Sequence, residues 1–165
     1  MQIDFNKYEQ NVSPCNEFGL YDIGNNVPVI LDYANPQKWE STVECNNRKD
    51  YKFIPVDSVK ELLEYKKYNS GTDTCDVILR TENTVCFVEL KNQDKSWFQE
   101  SMNQLKVTIG LYKDSHGIDT YKFRRAQAVN KTHPSFHVSM KNEMHKFWQD
   151  TTFTLRVGIK IQELR

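Results

Sequence analysis

Two carboxylates and one amine stand near the middle of this chain: Asp76, Glu89 and Lys91. Carboxylate oxygens are hard ligands, and two at one point suit a hard divalent cation. An ammonium beside them offers three hydrogen-bond donors and a compensating charge. That chemistry needs a backbone that brings the three together. Cys75 to Lys91 reads CDVILRTENTVCFVELK. Two apolar runs, Val77-Ile78-Leu79 and Val85-Cys86-Phe87-Val88, flank a polar hinge, Arg80-Thr81-Glu82-Asn83-Thr84. Short runs rich in Val, Ile and Phe, split by turn-prone residues, predict a β-hairpin.

A hairpin folded about the Glu82–Asn83 bond sets Asp76 directly across from Glu89. Opposed Cβ atoms lie ~5 Å apart, where like charges destabilise unless something positive intervenes. Side chains alternate along a strand, so Glu89 and Lys91 share a face. Glu-Asn is not a favoured two-residue turn. A four-residue loop, Thr81 to Thr84, keeps the same pairing, whereas a one-residue bulge breaks it. A plainer reading stays open: Glu-Leu-Lys at a strand end is also a simple charge pattern. Lys91 would then only neutralise Glu89, a gain under ~1 kcal/mol.

Asp76, twelve residues, then Glu89-Leu90-Lys91 resembles the D…(D/E)xK signature of the PD-(D/E)XK nuclease superfamily. From about Asp57 onward the chain is also similar to a small bacterial branch of that superfamily. The shared features are a Cys-Asp strand, a Phe-Val-Glu-Leu-Lys strand and a late Asn-Lys-x-x-Pro turn. The resemblance implies an α/β fold, a mixed central β-sheet flanked by helices with a restriction-endonuclease-like core. It implies a metal-dependent nuclease that hydrolyses phosphodiester bonds of DNA or RNA. Asp76, Glu89 and the backbone carbonyl of Leu90 would hold Mg²⁺ or Mn²⁺, and Lys91 would orient or deprotonate the attacking water. Gln104, on the helix after the hairpin, would hold the site in place, with an ordinary exposed Gln as the alternative. The superfamily often adds an acid from a helix before the hairpin. Glu61 and Glu64 are the candidates, against a capping role for Glu61 and a solvated face for Glu64. Asp73 is a spare carboxylate.

The same resemblance implies nucleic acid as partner, a possible protein partner or homodimer, no membrane, and a bacterial cytoplasmic setting. A second reading keeps the fold without the chemistry: a catalytically silent binding module, such as an immunity or accessory protein docking a protein partner. The chain departs from the superfamily in two places. Cys75 stands where a Pro is usual. Residues 69–74 are too few for the usual strand before Asp76, so the Tyr51–Ile54 run could supply it by a permuted connection.

The elements that must position these residues follow from periodicity. Ser58 with Glu61 fits a capping box opening a helix with Val59, Leu62 and Leu63 on its apolar face. Asn69-Ser70-Gly71 stops it. Ser96 to Lys113 is the strongest helix, with Phe98, Met102, Leu105, Ile109 and Tyr112 at spacings of 4, 3, 4 and 3. Tyr121 to Asn130 predicts a strand parallel to the Glu89 strand, reached through that helix. Met140, Met144, Phe147 and Trp148 predict a second amphipathic helix with a core-facing stripe. Leu155, Val157, Ile159 and Ile161 alternate with Thr154, Arg156, Gly158 and Lys160, a final strand with one dry face. Residues 1 to 50 are rich in turn formers, and a loop-rich part packing on a 51–165 core is expected. Within it Val27 to Leu31 reads as one strand, and Tyr33 and Trp39 as cover for the core.

At 165 residues the chain is most simply one domain. Lys+Arg and Asp+Glu both number 22, so no general basic bias attracts a polyanion and any contact must be local. Lys122, Arg124 and Arg125 form the densest basic cluster, either a nucleic-acid contact or solvated edge charge. The four Cys, at 15, 45, 75 and 86, have no CxxC spacing, which favours free thiols over disulfides or zinc. His133 and His137 are spaced like half a zinc site without its other half. MQIDFNKYEQ lacks the basic-then-apolar order of a signal peptide. No apolar run approaches the ~20 residues that span a bilayer.

Overall fold

The computed structural model describes residues 2–133 and 136–165. In chain order its regular elements are β1 (Gln10–Asn11), β2 (Glu17–Tyr21), β3 (Ile30–Asp32), β4 (Ser41–Glu44), β5 (Lys52–Pro55), α1 (Lys60–Tyr68), β6 (Val77–Arg80), β7 (Thr84–Lys91), α2 (Trp97–His116), β8 (Phe123–Asn130), α3 (Lys141–Thr151), β9 (Thr154–Val157) and β10 (Lys160–Ile161). They build an α/β structure with two mixed sheets. One has six strands in the order β1-β5-β6-β7-β8-β9, and the other has four, β10-β4-β2-β3.

The hairpin holds the expected register. Val77 pairs with Val88, Ile78 with Phe87, Leu79 with Cys86 and Arg80 with Val85. Thr81 and Thr84 close the turn, with Thr81 N–H donating to the Thr84 carbonyl at 2.9 Å. β8 runs parallel to β7, with Glu89 beside Ala128, and β9 runs parallel to β8. The Tyr51–Ile54 run is β5, which lies antiparallel to β6 although α1 separates them in the chain. Its pairing partners on the sheet are therefore β1 and β6.

Central strands here are apolar on both faces because both are covered. Ile78, Val85, Phe87, Ala126, Ala128 and Leu155 pack with Leu62, Met102, Leu105, Ile109, Tyr112 and Phe147 of the helices. Phe53, Val77, Leu79, Cys86, Val88 and Val129 pack on the other side with Phe18, Leu20 and Val43 of the four-stranded sheet. The result is three layers: helices, six-stranded sheet, four-stranded sheet. All four cysteines are free, and three of them are buried.

Most of residues 1–50 lie outside regular elements, yet the segment supplies β1 to β4, three of which form most of the second sheet. Three expectations need correction. Helix α1 has no side-chain cap. Ser58 Oγ donates instead to the Pro55 carbonyl at 2.6 Å, and Glu61 accepts from the Tyr8 hydroxyl at 2.8 Å. Leu63 and Trp148 are about half exposed, so neither joins its helix's buried stripe. The final alternating run is not one strand. It breaks at Gly158, whose φ of 149° disfavours any side chain, so β9 ends in the large sheet and β10 pairs with β4 in the small one.

Two groups of contacts fix the small sheet and the segment that follows β10. Trp39 lies over β2 so closely that a Cβ on Gly19 would sit 2.0 Å from its ring. Its indole N–H donates to Asp32 at 2.8 Å. Tyr33, by contrast, is largely exposed. At the other end, Leu164 N–H donates to the buried Tyr51 hydroxyl at 2.7 Å, and Arg48 donates to the Leu164 carbonyl at 2.9 Å.

Candidate acidic metal centre

The hairpin ends where its last side chains leave the core. Ile78 and Phe87 point to the helices, and Glu89, two residues past Phe87, continues that face of β7. The regular pairing ends at Val77 and Val88: Asp76 N–H donates to the Val88 carbonyl at 3.1 Å, one residue off the hairpin register, and Asp76 reaches the same cleft as Glu89 from just before β6. Its Oδ2 accepts the Leu90 N–H at 2.7 Å, which fixes the carboxyl against β7. Glu89 is 2% exposed. Its Oε1 lies 3.2 Å from Lys91 Nζ, and its Oε2, also buried, has no hydrogen-bond partner. Buried polar atoms are nearly always partnered, so this one requires an explanation. Lys91 Nζ reaches on to Glu100 Oε2 of α2 at 3.6 Å.

Asp76, Glu89, Leu90, Lys91 and Gln104 line one cleft of about 320 Å³. Asp73, Lys91 and Gln104 also border a neighbouring cavity of about 370 Å³. Gln104 is held rather than free: its Nε2 donates to Asp73 Oδ2 at 3.0 Å and to the Thr74 carbonyl at 3.2 Å. Its buried Oε1 has no partner. One turn later, Thr108 Oγ1 accepts the Cys75 N–H at 2.8 Å, which pins α2 to the residue before Asp76.

Three more charged groups complete the cleft, none of them singled out from sequence: Asp22, Asp57 and Lys66. Asp57 sits in the turn Val56–Ser58 before α1. Lys66 bridges it at 3.6 Å and Asp73 at 3.3 Å. Glu61 and Glu64 are not among the lining residues. The first is engaged by Tyr8, and the second faces solvent. Three acids from before the hairpin line the cleft, Asp22, Asp57 and Asp73, and Asp57 lies three residues ahead of the helix in which such an acid was sought. The signal was present only as a helix-opening Asp.

The electrostatics follow from burial. It pushes the Asp76 carboxyl up to about 7, against the pull of the Leu90 N–H, and the charges of Asp22 and Asp57 add to the rise. Burial and then the Asp76 charge hold Glu89 well above the ordinary carboxylate range, against the opposing pull of Lys91. Asp57 is raised by burial and eased by Lys66. The cleft therefore holds acids that resist ionising until a cation arrives.

Among the described residues no cluster of three or more His, Cys, Asp or Glu is arranged to cage a metal ion. The Asp76 carboxyl, the Glu89 carboxyl with its bare buried oxygen, and the Leu90 backbone carbonyl form a partial donor set. That set fits Mg²⁺ or Mn²⁺, which keep waters and take one or two carboxylates with substrate phosphate, better than a metal needing a full protein cage. His133 rests against Asp94 at 3.0 Å on the surface, away from this cleft.

Arg124 and Arg125 lie on β8 beside β7, with Lys122 just ahead of it, but at the strand's other end. Arg124 pairs with Val85, four positions before Glu89, so the cluster is ~13 Å along the sheet from the acids.

No family model matches this chain, and no solved structure matches it. A stretch of 76 residues, 46% of the chain, is 33% identical to a protein of Arabidopsis thaliana, Glycerophosphodiester phosphodiesterase GDPDL1. The chain spans about a tenth of that protein's length, 10%, which is too little to carry an activity across. No helix among the described residues is long and apolar enough to cross a membrane.

Proposed function

We propose that the acidic cleft is a divalent-cation-dependent phosphodiester-hydrolysing site of the PD-(D/E)XK type, within a restriction-endonuclease-like core, acting on nucleic acid. The observation that carries this reading is the buried Glu89 Oε2, without a hydrogen-bond donor, beside Asp76 in the cleft. Two buried carboxyls side by side share a proton or take a cation, and the cleft's opening toward Lys91 and solvent suits the cation. Asp76, Glu89 and the Leu90 carbonyl would hold Mg²⁺ or Mn²⁺. When bound, the cation supplies charge neutralisation at the phosphate and a lower pKa for a coordinated water.

The chain's own residues then have distinct work. Leu90 N–H fixes the Asp76 carboxyl, so one acceptor is oriented before any ligand enters. Lys91 Nζ lies 3.2 Å from Glu89 and 3.6 Å from Glu100, which holds its ammonium at the cleft where a water or a phosphate oxygen would meet it. Gln104 holds Asp73 and the Thr74 carbonyl and so fixes the chain entering Asp76. It positions the site rather than performing the chemistry. Because both acids are held neutral by burial, cation binding releases protons and tightens as pH rises through 7.

The test is a panel of labelled single- and double-stranded DNA and RNA, with a glycerophosphodiester as a small-substrate arm, incubated with Mn²⁺. Lys91→Ala should keep the fold and most cation binding, since an ammonium is not a ligand. It should lose cleavage by roughly a hundredfold or more. Equal cleavage by both proteins refutes the mechanism. Turnover of the glycerophosphodiester alone moves the substrate from nucleic acid to a small diester. Absence of any turnover, with a tight protein complex, favours the silent binding module.

A further inference from the structure

At the start of β8, remote from the acids, a second cavity of about 430 Å³ opens between β8, β9 and α3. Its cations are Lys122, Arg124, Arg125, Arg156 and Arg165, and no carboxylate lines it. Net charge over the whole chain is zero, so this concentration is local and not a by-product of a basic protein. Among the described residues the one acid within ion-pair distance of these five is Asp119, 3.5 Å from Arg124 and fully exposed. Neutral groups hold the others. Arg125, 9% exposed, donates to the carbonyls of Gln162 at 3.1 Å and Glu163 at 3.2 Å. Arg156 donates to Gln162 Oε1 at 2.8 Å, and Arg124 to Thr152 Oγ1 at 3.2 Å. These guanidinium groups are oriented without being neutralised. Burial first, and then the nearby charges of Arg156 and Arg165, make Arg125 easier to deprotonate than usual, so repulsion among the cations adds to the cost of burying it. An anion in the cavity would relieve it, and planar guanidinium forks match phosphate oxygens.

The wall is also aromatic. Trp148 lines the cavity and stays 52% exposed, although its place on α3 continues an apolar stripe. Phe123 lies under Lys122 and Arg165, whose charges sit 5.5 and 5.4 Å from its ring centre. An inorganic anion uses the arginines and leaves the indole bare. A lipid headgroup brings no flat ring to stack on it. A nucleotide uses both.

We propose that this cavity binds a nucleotide unit, with its phosphate on Arg124, Arg156 and Arg165 and its base against Trp148. The unit is either a free nucleotide or one residue of a nucleic-acid chain. The site stands apart from the acidic cleft and does not depend on cleavage there.

Binding is measured on the full chain in EDTA, which leaves the acidic cleft without a cation. The probes are AMP, inorganic pyrophosphate and a single-stranded twelve-nucleotide DNA, read by calorimetry and by quenching of tryptophan fluorescence. AMP and the oligonucleotide should bind and quench, and pyrophosphate should bind more weakly without comparable quenching. Arg156→Gln and Trp148→Ala should each weaken AMP about tenfold. Arg125 is left intact because it anchors two carbonyls of the C-terminal segment. Oligonucleotide binding well beyond that of AMP assigns the polymer as source, and equal affinity assigns the free nucleotide. Pyrophosphate binding as tightly as AMP, with Trp148→Ala neutral, overturns the nucleotide assignment. So does an absence of binding by all three probes at low salt. Loss of cleavage with retained AMP binding would sink the acidic-cleft reading alone.

Discussion

Replacing Asp76 by Asn tests whether the acidic cleft stores unfavourable charge. Asn keeps an oxygen that can accept the Leu90 N–H, so the local geometry survives. Burial carries the Asp76 carboxyl from an ordinary 3.8 to about 7. At about 1.4 kcal/mol per pH unit, ionising it in the folded protein costs up to about 4 kcal/mol. The sign follows from linkage. A carboxyl raised by folding contributes its full stability below 3.8 and loses it as pH rises through 7, because the unfolded chain ionises first. Asp76→Asn should therefore be more stable than wild type by up to about 4 kcal/mol at pH 8. The gap should fall to about 2 kcal/mol at pH 5 and below about 1 kcal/mol at pH 4. Urea unfolding followed by circular dichroism at these three pH values reads it directly. A variant no more stable than wild type at pH 8, or a gap that persists at pH 4, refutes the buried-charge argument. Adding Mn²⁺ at a hundred times its dissociation constant should stabilise wild type by about 2.7 kcal/mol and narrow the gap.

Asp57→Asn should weaken Mn²⁺ binding about fivefold by removing a nearby charge worth about 1 kcal/mol, while Glu64→Gln should leave it unchanged; calorimetry with Mn²⁺ separates the two. Gly19→Ala should destabilise the protein by about 2 kcal/mol or more, because the new Cβ overlaps the Trp39 ring. Its thermal midpoint should drop, and tryptophan emission should shift as Trp39 moves.

The hairpin and its site were readable because one local rule set both. Two apolar runs of matched length fix a register, and parity then fixes which side chains share a face. Parity placed Glu89 and Lys91, while Asp76 lies just past the regular pairing, with its N–H on Val88, and still reaches the same cleft. Gln104 was readable as a position on α2 but not as a partner, since Asp73 and Thr74 come from a loop about thirty residues earlier. Asp22 and Asp57 were hidden for the same reason: they reach the cleft through the turn after β2 and the turn after β5, which no periodicity places. Local rules also misled. Ser58 and Glu61 have capping-box spacing, yet a tyrosine hydroxyl 53 residues away claims the glutamate. The alternation reads smoothly past Gly158 in the sequence, but Ile159 lies between the two strands and is 43% exposed, while Leu155 and Ile161 are buried in different sheets.

That break at Gly158 has a consequence for how the protein forms on the ribosome. β10 is the parallel neighbour of β4, and Ser41 Oγ donates to the Ile159 carbonyl across a separation of 118 residues. Until residues 160 and 161 are made, β4 has β2 on one side and nothing on the other. Strands β2 to β4 thus wait for a partner 118 residues further along, and completing their sheet pays the entropy of a very long loop. A nascent chain halted before residue 160 would expose β4 as a bare edge, open to proteases and to pairing with another copy.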